Sequence, residues 1–492
     1  MMMRERFLAA ACVAIAATSA GAQIRPKVTA NDLKADVSFL ASDALEGRGT
    51  PSPGLDIAAE YIAAQFRRAG LEPAGDDGYF QTAKYESVKP NLDGLEITFE
   101  AGGTALKADR ASMALQEPVA VDLSHAPVVK VTLNDAAALD ALTPEQVRGK
   151  VLLVEFPDSA GFAAARRIPA VAGKLEPALV VLVRSSAQGA NPNARLRDAS
   201  AAGPRVPILV VSDAAIRGAV ASAGDATVSV HIPAPVVQPV KLRNVIGVLR
   251  GTDPALQDTY LVITAHYDHL GVRGTGEGDH IFNGANDDAS GTSSVIEIAH
   301  ALASLAERPK RSIVFMALFG EEAGGLGSRH YCQHPVFPLA KTIANVNFEQ
   351  LGRTDDTEGP RLVQFNLTGF DYTNIAAFFG KAGEETGIQV VKHEKNSDSF
   401  FARSDNAAFA DAGVPSTTLS VSYIFPDYHR ASDEWPKLDY DNMAKVDGAV
   451  ALGIFRIADS AEAPQWNKDN PRTARYVQVR EAAGPPPGPT PQ

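Results

Sequence analysis

The chain has 492 residues, 45% of them hydrophobic and 21% charged, with a formal charge of −12. That composition is ordinary globular material, long enough for two or three domains, and excludes a wholly disordered or membrane-embedded protein. The acidic balance argues against nucleic acid as a partner.

In chain order, Arg4 and Arg6 precede an apolar stretch from Phe7 to Ala17, and Ala20-Gly21-Ala22 offers a small-residue cleavage pattern ahead of Gln23. Residues 1–22 therefore read as a cleavable export signal, which places the mature chain in the periplasm or outside the cell. The stretch is too short to span a bilayer, and no later run reaches the roughly 18 apolar residues that a transmembrane segment needs. A lipoprotein reading on Cys12 is disfavoured, because Ala9 stands where such signals usually carry Leu and apolar residues continue past the cysteine. Losing Arg4, Glu5 and Arg6 removes one net positive charge, which takes the formal charge from −12 to −13. Only Cys332 then remains, so no intramolecular disulfide can form despite the exported setting. Cys332 reads as a small apolar residue in a helix.

Helical spacing appears twice between Asn31 and Leu71, in Leu33-Val37-Leu40 and Ala58-Ile62-Phe66, around the loop Glu46-Gly47-Arg48-Gly49-Thr50-Pro51. From about Arg110 to Val236 the character changes, with strands expected at 150–155, 178–183 and 206–211 and no cluster of potential ligands beside them. The Pro-containing segment from Ile232 to Pro239 reads as a linker. The organisation expected is a first part of the main domain at 23–109, an inserted smaller domain, α/β or β-rich, at 110–236, and the rest of the main domain at 237–462. A Pro-rich tail at 463–492 is expected to be disordered. No internal repeat is present.

The main domain carries the chemistry. Apolar runs at 262–265, 312–319, 343–348 and 414–421 read as buried strands, and Val295, Ile298, Ala299, Leu302 and Leu305 give a helical spacing between the first two. Strand, helix and strand in succession predict a layered α/β domain, a mixed but mainly parallel sheet flanked by helices. Ligands in such sheets bind outside the carboxyl ends of the strands. His266, Asp287, Glu322, Glu349 and His429 fall there.

Imidazole and carboxylate are the ligand types of a catalytic zinc, whereas a structural zinc more often takes thiolates, absent here. One shared carboxylate plus two ligands per ion uses all five: Asp287 bridging, with His266 and Glu349 on one ion and Glu322 and His429 on the other. Two ions roughly 3.5 to 4 Å apart suit hydrolysis of a carbonyl compound. Adjacent residues at a strand end point in different directions, so Glu321 is free to act as general base while Glu322 ligates.

The motifs Thr264-Ala265-His266-Tyr267-Asp268, Asn283 to Gly291, Phe319 to Ser328, Asn347 to Arg353 and Tyr428 to Asp433 resemble those of the M28 family of zinc-dependent exopeptidases. The resemblance runs from roughly Asp32 to Ala458 and includes the loop Ser42 to Thr50. The middle region resembles the protease-associated (PA) domain often inserted in this family. By position, the resemblance implies the same five Zn2+ ligands for two ions, Glu321 as base, Asp268 holding the His266 imidazole in its ligating tautomer, and Tyr428 supporting the oxyanion. It implies a peptide substrate cleaved at its end, most simply at the N-terminus. A carboxypeptidase or dipeptidase is the alternative. A glutaminyl cyclase should use fewer ligands, and a catalytically dead, receptor-like binding protein should have lost one.

One position departs from the family pattern: Glu349 stands where Asp is usual, which leaves recognition of a substrate amine open there. His125, His231, His280, His300, His330, His334 and His393 read as structural or solvated. His269 does not match a ligand position, and Asp288 reads as the cap of the helix that follows. Ser404-Asp405 resembles a segment lying near the family's pocket.

Overall fold

The computed structural model describes residues 25–133, 137–155, 162–184, 194–200, 205–222 and 225–484. The export signal expected at 1–22 and the chain's last eight residues lie outside the described residues. Two compact units form, one from the chain up to Gln81 and from Arg243 onward, the other from Thr82–Leu242.

The first unit is built on the part of β1 (Val236–Leu249) from Arg243 onward and on β2 (Tyr260–His266), β3 (Ser312–Leu318), β4 (Thr342–Phe348), β5 (Gln364–Leu367), β6 (Gln389–Val391) and β7 (Ser416–Ser420), ordered β6-β5-β7-β4-β2-β3-β1. Strand β2 runs parallel to β3, with Tyr260 opposite Ser312 and His266 opposite Leu318, and parallel to β4. Strand β4 is parallel to β7, while Val245–Leu249 of β1 lies antiparallel to β3. Every residue of β2, β3, β4 and β7 is buried, as expected of parallel strands covered on both faces.

Around the sheet lie α1 (Ala30–Leu40), α2 (Pro53–Arg68), α3 (Ser290–Ala303), α4 (Leu326–Gln333), α5 (Ile375–Thr386) and α6 (Tyr440–Asp459). Thr29 caps α1 by accepting from the Asp32 amide, and Ser52 caps α2 from the Leu55 amide with Pro53 at the first helical position. Helix α3 packs on β2, β3 and β4 as well as on α1, α2 and α6, so it is buried on nearly every face. It starts at Ser290, ahead of the apolar spacing that begins at Val295, and Asp288 Oδ1 accepts from the Gly291 amide in its first turn. Among the described residues no helix is long and apolar enough to cross a membrane.

The second unit centres on a sheet ordered 104–107, 96–101, 226–232, 121–132, 151–155, 179–183, 208–211 and 113–117. Its middle strands are parallel and its flanks antiparallel, with a buried apolar cluster on each face.

Three boundaries differ from the sequence expectation. The second unit begins near Thr82 rather than 110, because Glu96–Ala101 pairs with Ala226–Ile232, a contact between distant segments that local pattern does not reveal. The expected linker is mostly strand: Ala226–Ile232 ends just before Val236–Leu249 begins, and Pro239 sits in an exposed stretch of the latter. The segment expected as a tail is folded as far as Gly484. Trp466 and Tyr476, 6% and 4% exposed, stack at 4.9 Å and pack with Tyr372 and Phe401, and Ala474–Ala483 is helical. Two large aromatics in 20 residues outweigh the polar composition that suggested disorder.

Candidate metal centre and active site

His266 is the last residue of β2, Glu321 and Glu322 follow β3 in the turn before α4, and Glu349 comes directly after β4. Asp287 lies in the irregular turn Ala285–Ala289 that leads into α3, and His429 lies on the loop beyond β7. The parallel register carries all five to one end of the sheet.

There the two oxygens of Asp287 face different histidines: Oδ1 lies 3.3 Å from His266 Nε2 and Oδ2 lies 3.1 Å from His429 Nε2. Glu349 Oε1 is 3.6 Å from His266 Nε2, and Glu322 Oε1 is 3.2 Å from His429 Nε2. His266 and Glu349 thus lie to one side of Asp287, and Glu322 and His429 to the other. Asp288, within ligand reach of His266 and Glu349, uses Oδ1 to accept from Gly291 and Gln350 amides.

Orientation comes from the surrounding backbone. His266 Nδ1 faces the backbone carbonyl of Asp268 at 3.1 Å, which leaves Nε2 pointing into the site, while the Asp268 carboxylate is farther away at 3.6 Å. The tautomer is therefore set by the main chain more than by the expected side chain. The Asp268 carboxylate instead accepts from the Glu321 amide and the Thr50 hydroxyl, each at 3.0 Å. Tyr428 stacks on His429 with ring centroids 3.9 Å apart and is 39% exposed at the cleft lip. The cleft is lined by Asp287, Glu321, Glu349, Tyr428, His429 and Arg403, among others.

The charge balance is that of a cation site. Burial works against protonating His266, yet Glu349, Asp268 and Asp287 together raise its pKa well above the ordinary value. Burial likewise opposes protonation of His429, but Asp287 and Glu322 lift it to about 10. Burial favours neutral Glu322, but His269 and His429 pull it down to about 2. Two imidazoles hold protons where a divalent ion would supply the same charge. Glu321 behaves oppositely: burial, with Glu349 and Asp405 beside it, raises its pKa well above the usual range although His266 opposes this.

Several residues whose partners the sequence does not reveal support the centre. Fully buried Arg48 donates from Nε to the Tyr267 carbonyl at 2.8 Å, from Nη1 to Asn283 at 2.8 Å and to Leu40, and from Nη2 to Gly284 at 3.1 Å. One guanidinium thereby ties the chain after His266 to the chain before Asp287. Asp433 accepts from the Asn286 and Asp287 amides at 3.0 and 3.1 Å, and burial pushes its carboxyl up to about 7. Ser404 Oγ donates to Glu349 Oε1. Gly284 has φ +57, and a Cβ there would lie 2.4 Å from the His269 ring. Arg48 and Asp433 stand inside quoted motifs, but nothing local marks which carbonyl or amide they reach.

The donor set fits zinc, since imidazole nitrogen and carboxylate oxygen are its ligands at catalytic sites. Glu322 Oε1, Asp288 Oδ2 and both ring nitrogens of His269 are buried without a hydrogen bond among the described residues, as expected where an ion belongs.

Comparison with known proteins gives this arrangement a family. The model of "Peptidase family M28" matches residues 244–453. That segment belongs to peptidase family M28. The M28 segment contains all five candidate ligands, Glu321 and Tyr428. Aminopeptidase YwaD of Bacillus subtilis (strain 168) is 25% identical over 232 residues, covering 46% of this chain and 47% of its own length. A probable zinc metalloprotease of Pyricularia oryzae is 30% identical over 205 residues, covering 41% of this chain and 39% of its own. The chain thus spans less than half the length of these curated relatives. Among solved structures, an aminopeptidase from Aneurinibacillus sp. strain AM-1 superposes with a TM-score of 0.54 at 19% identity, over 90% of this chain and 97% of that one, a likeness of fold.

Proposed function

We propose that the protein is an exported two-zinc exopeptidase that removes residues from the N-terminal end of peptides. The observation that carries this reading is Asp287, whose two oxygens face His266 and His429 on opposite sides while Glu349 and Glu322 complete the two halves. His266, Asp287 and Glu349 would hold one ion, and Asp287, Glu322 and His429 the other. Bound zinc supplies Lewis acidity, lowering the pKa of water and polarising a carbonyl. Relatives with aminopeptidase names support the choice of terminus.

The chain's own groups do the rest. Glu321 takes a proton from the attacking water on its carboxylate and returns it to the leaving nitrogen. The Tyr428 hydroxyl donates to the oxygen on which negative charge develops. Its pKa is raised, by burial first and then by Asp287 and Glu349, so it remains a donor. Arg48, Asp268 and Asp433 hold the loops in register. The inserted unit takes the place of a protease-associated module, consistent with its position within the chain.

A second reading rests on Arg403. It lines the cleft, stacks on Phe400 at 4.3 Å and makes no ion pair among the described residues, so it could receive a free carboxylate. A carboxypeptidase would use it so, and one relative is named "Probable glutamate carboxypeptidase VP8" (Zea mays), 26% identical over 203 residues. The test is zinc content together with hydrolysis of aminoacyl anilides and of N-acetylated peptides with a free carboxyl end. The proposal expects two zinc ions and cleavage of the anilides. A protein without zinc and without hydrolysis overturns the peptidase reading, and cleavage of the acetylated peptides alone overturns the N-terminal one.

A further inference from the structure

His269 lies three residues beyond His266, fully buried, with Nδ1 2.9 Å from Glu322 Oε1 and neither ring nitrogen in a hydrogen bond. Nδ1 faces the carboxylate of Glu322, itself a proposed ligand, and Nε2 has no hydrogen bond among the described residues, so the ring is turned toward the candidate ion rather than toward a structural partner. One ligand atom from each of His269, Asp287 and Glu322 lies within 4.8 Å of the others. His429 meets His269 edge-on, with ring centroids 5.6 Å apart, and Gly284 leaves the space that the His269 ring occupies.

Donor spacing is the sharper criterion. Around a tetrahedral zinc with bonds of about 2.0–2.1 Å, neighbouring ligand atoms are about 3.3 Å apart. The separations here are 3.1 Å from His429 to Asp287, 3.2 Å from His429 to Glu322 and 2.9 Å from His269 to Glu322. Three contacts at ligand spacing thus link four donors, His269, Glu322, His429 and Asp287, where the two-ion partition needs three.

We infer that His269, through Nδ1, is a fourth protein ligand of the ion held by Glu322, His429 and Asp287. This inference rests on the two-zinc reading. It makes the two sites unequal: one is closed by protein on four sides, whereas His266, Asp287 and Glu349 leave a position open on the other. The open position then belongs on the Glu349 side, beside the Glu321 carboxylate.

Cobalt substitution tests it without recourse to activity. Wild type, His269→Ala and His269→Asn, each verified as folded by circular dichroism, would be titrated with Co2+ and followed by visible absorption and by metal analysis after dialysis. Wild type is expected to retain two ions, one with the intense absorption of a four-coordinate centre. Both variants should retain one ion tightly and bind the other more weakly by more than the roughly 10- to 100-fold that loss of an outer hydrogen bond to a ligand costs. The four-coordinate band should be lost. Two tightly held ions with an unchanged spectrum in the variants would overturn the ligand role. So would weakening within 100-fold with the band intact, which would make His269 a positioning residue for Glu322. Wild type that binds no metal would instead overturn the two-zinc reading itself.

Discussion

Replacing Glu321 with Gln removes the proposed proton carrier while preserving shape. The backbone anchor, the Glu321 amide donating to Asp268 Oδ1 at 3.0 Å, does not involve the altered atoms. The carboxyl sits buried among Glu349, Asp405 and Glu322, so a neutral amide relieves repulsion there and should not lower the melting temperature. General-base catalysis typically contributes 10²- to 10⁴-fold, or about 3–5 kcal/mol of barrier at 1.36 kcal/mol per decade. The expected outcome is kcat reduced by at least about 100-fold, with zinc content and melting temperature unchanged. Steady-state hydrolysis of leucine p-nitroanilide, with zinc measured on the same preparation, reads both quantities. A zinc-loaded variant that retains wild-type kcat would remove Glu321 from the base role. Loss of zinc instead would make it a ligand and break the partition proposed for the five others.

Chelation should destabilise the first unit, because an ion present at 100 times its dissociation constant contributes about 2.7 kcal/mol per site. Calorimetry should show a melting temperature lower by several degrees, restored by zinc, and an indifferent protein contradicts the centre. Glu297 and Asp36 share a buried site: burial first, and then the charge of Asp36, lifts Glu297 to about 8, and burial lifts Asp36 to about 6 although hydrogen bonds with Tyr61 and Glu297 oppose this. The folded state therefore binds more protons than the unfolded one from about pH 4.5 upward, so this pair costs stability as pH rises through 8. Glu297→Gln should gain melting temperature over wild type between pH 6 and 9, and parallel curves would refute the shift. Arg48→Lys should cost more than about 3 kcal/mol in denaturant unfolding, since an ammonium cannot span the carbonyls the guanidinium reaches, and a loss under about 1 kcal/mol would refute the tie. Because Arg403 is exposed at the cleft, Arg403→Ala should lower kcat/KM by only about fivefold for substrates placing a carboxylate there. An equal loss for neutral substrates would show that it does not read charge.

How far the sequence speaks depends on whether a feature is local. Strand β2 was legible because Val262 to Ala265 is an unbroken apolar run, and α1 and α2 because their apolar residues recur at helical spacing. His266, Glu322 and Glu349 stand just past the ends of such runs, and Asp287 and His429 stand in motifs between or after them. Where meaning depends on partners far away in the chain, the pattern is silent. Thr82 to Asp109 could be joined to the second unit only by knowing that Glu96–Ala101 pairs with Ala226–Ile232. Arg48 looks like one basic residue in a loop until its bonds to Tyr267, Asn283 and Gly284 are seen. His269 matches no ligand position in the sequence for the same reason: the carboxylate it faces, Glu322, is 53 residues on.

Glu349 shows how such distant contacts reshape a position that sequence alone flags only as a departure. A carboxylate one methylene longer than Asp has more rotamers to lose and reaches farther, so it needs restraint to deliver an oxygen to the same place. The restraint is visible. Its amide donates to Leu419 of β7 at 3.0 Å, and its Oε1 accepts from Ser404, which is itself held by Asn347 Nδ2 at 2.8 Å. Asn347 lies in β4 two residues before Glu349, so the strand that carries the carboxylate also fixes the hydroxyl that aims it. The next residue, Gln350, turns away at φ +58, a conformation that non-glycine residues adopt rarely and that is kept here by the Asp288 carboxylate accepting its amide. With Glu349 Oε1 and Asp287 Oδ1 at 3.6 and 3.3 Å from the same His266 nitrogen, the longer side chain ends at nearly the same distance as its partner ligand. Swapping Glu349 for Asp would therefore withdraw the oxygen from both Ser404 and His266, because the backbone is pinned by β7 and cannot follow.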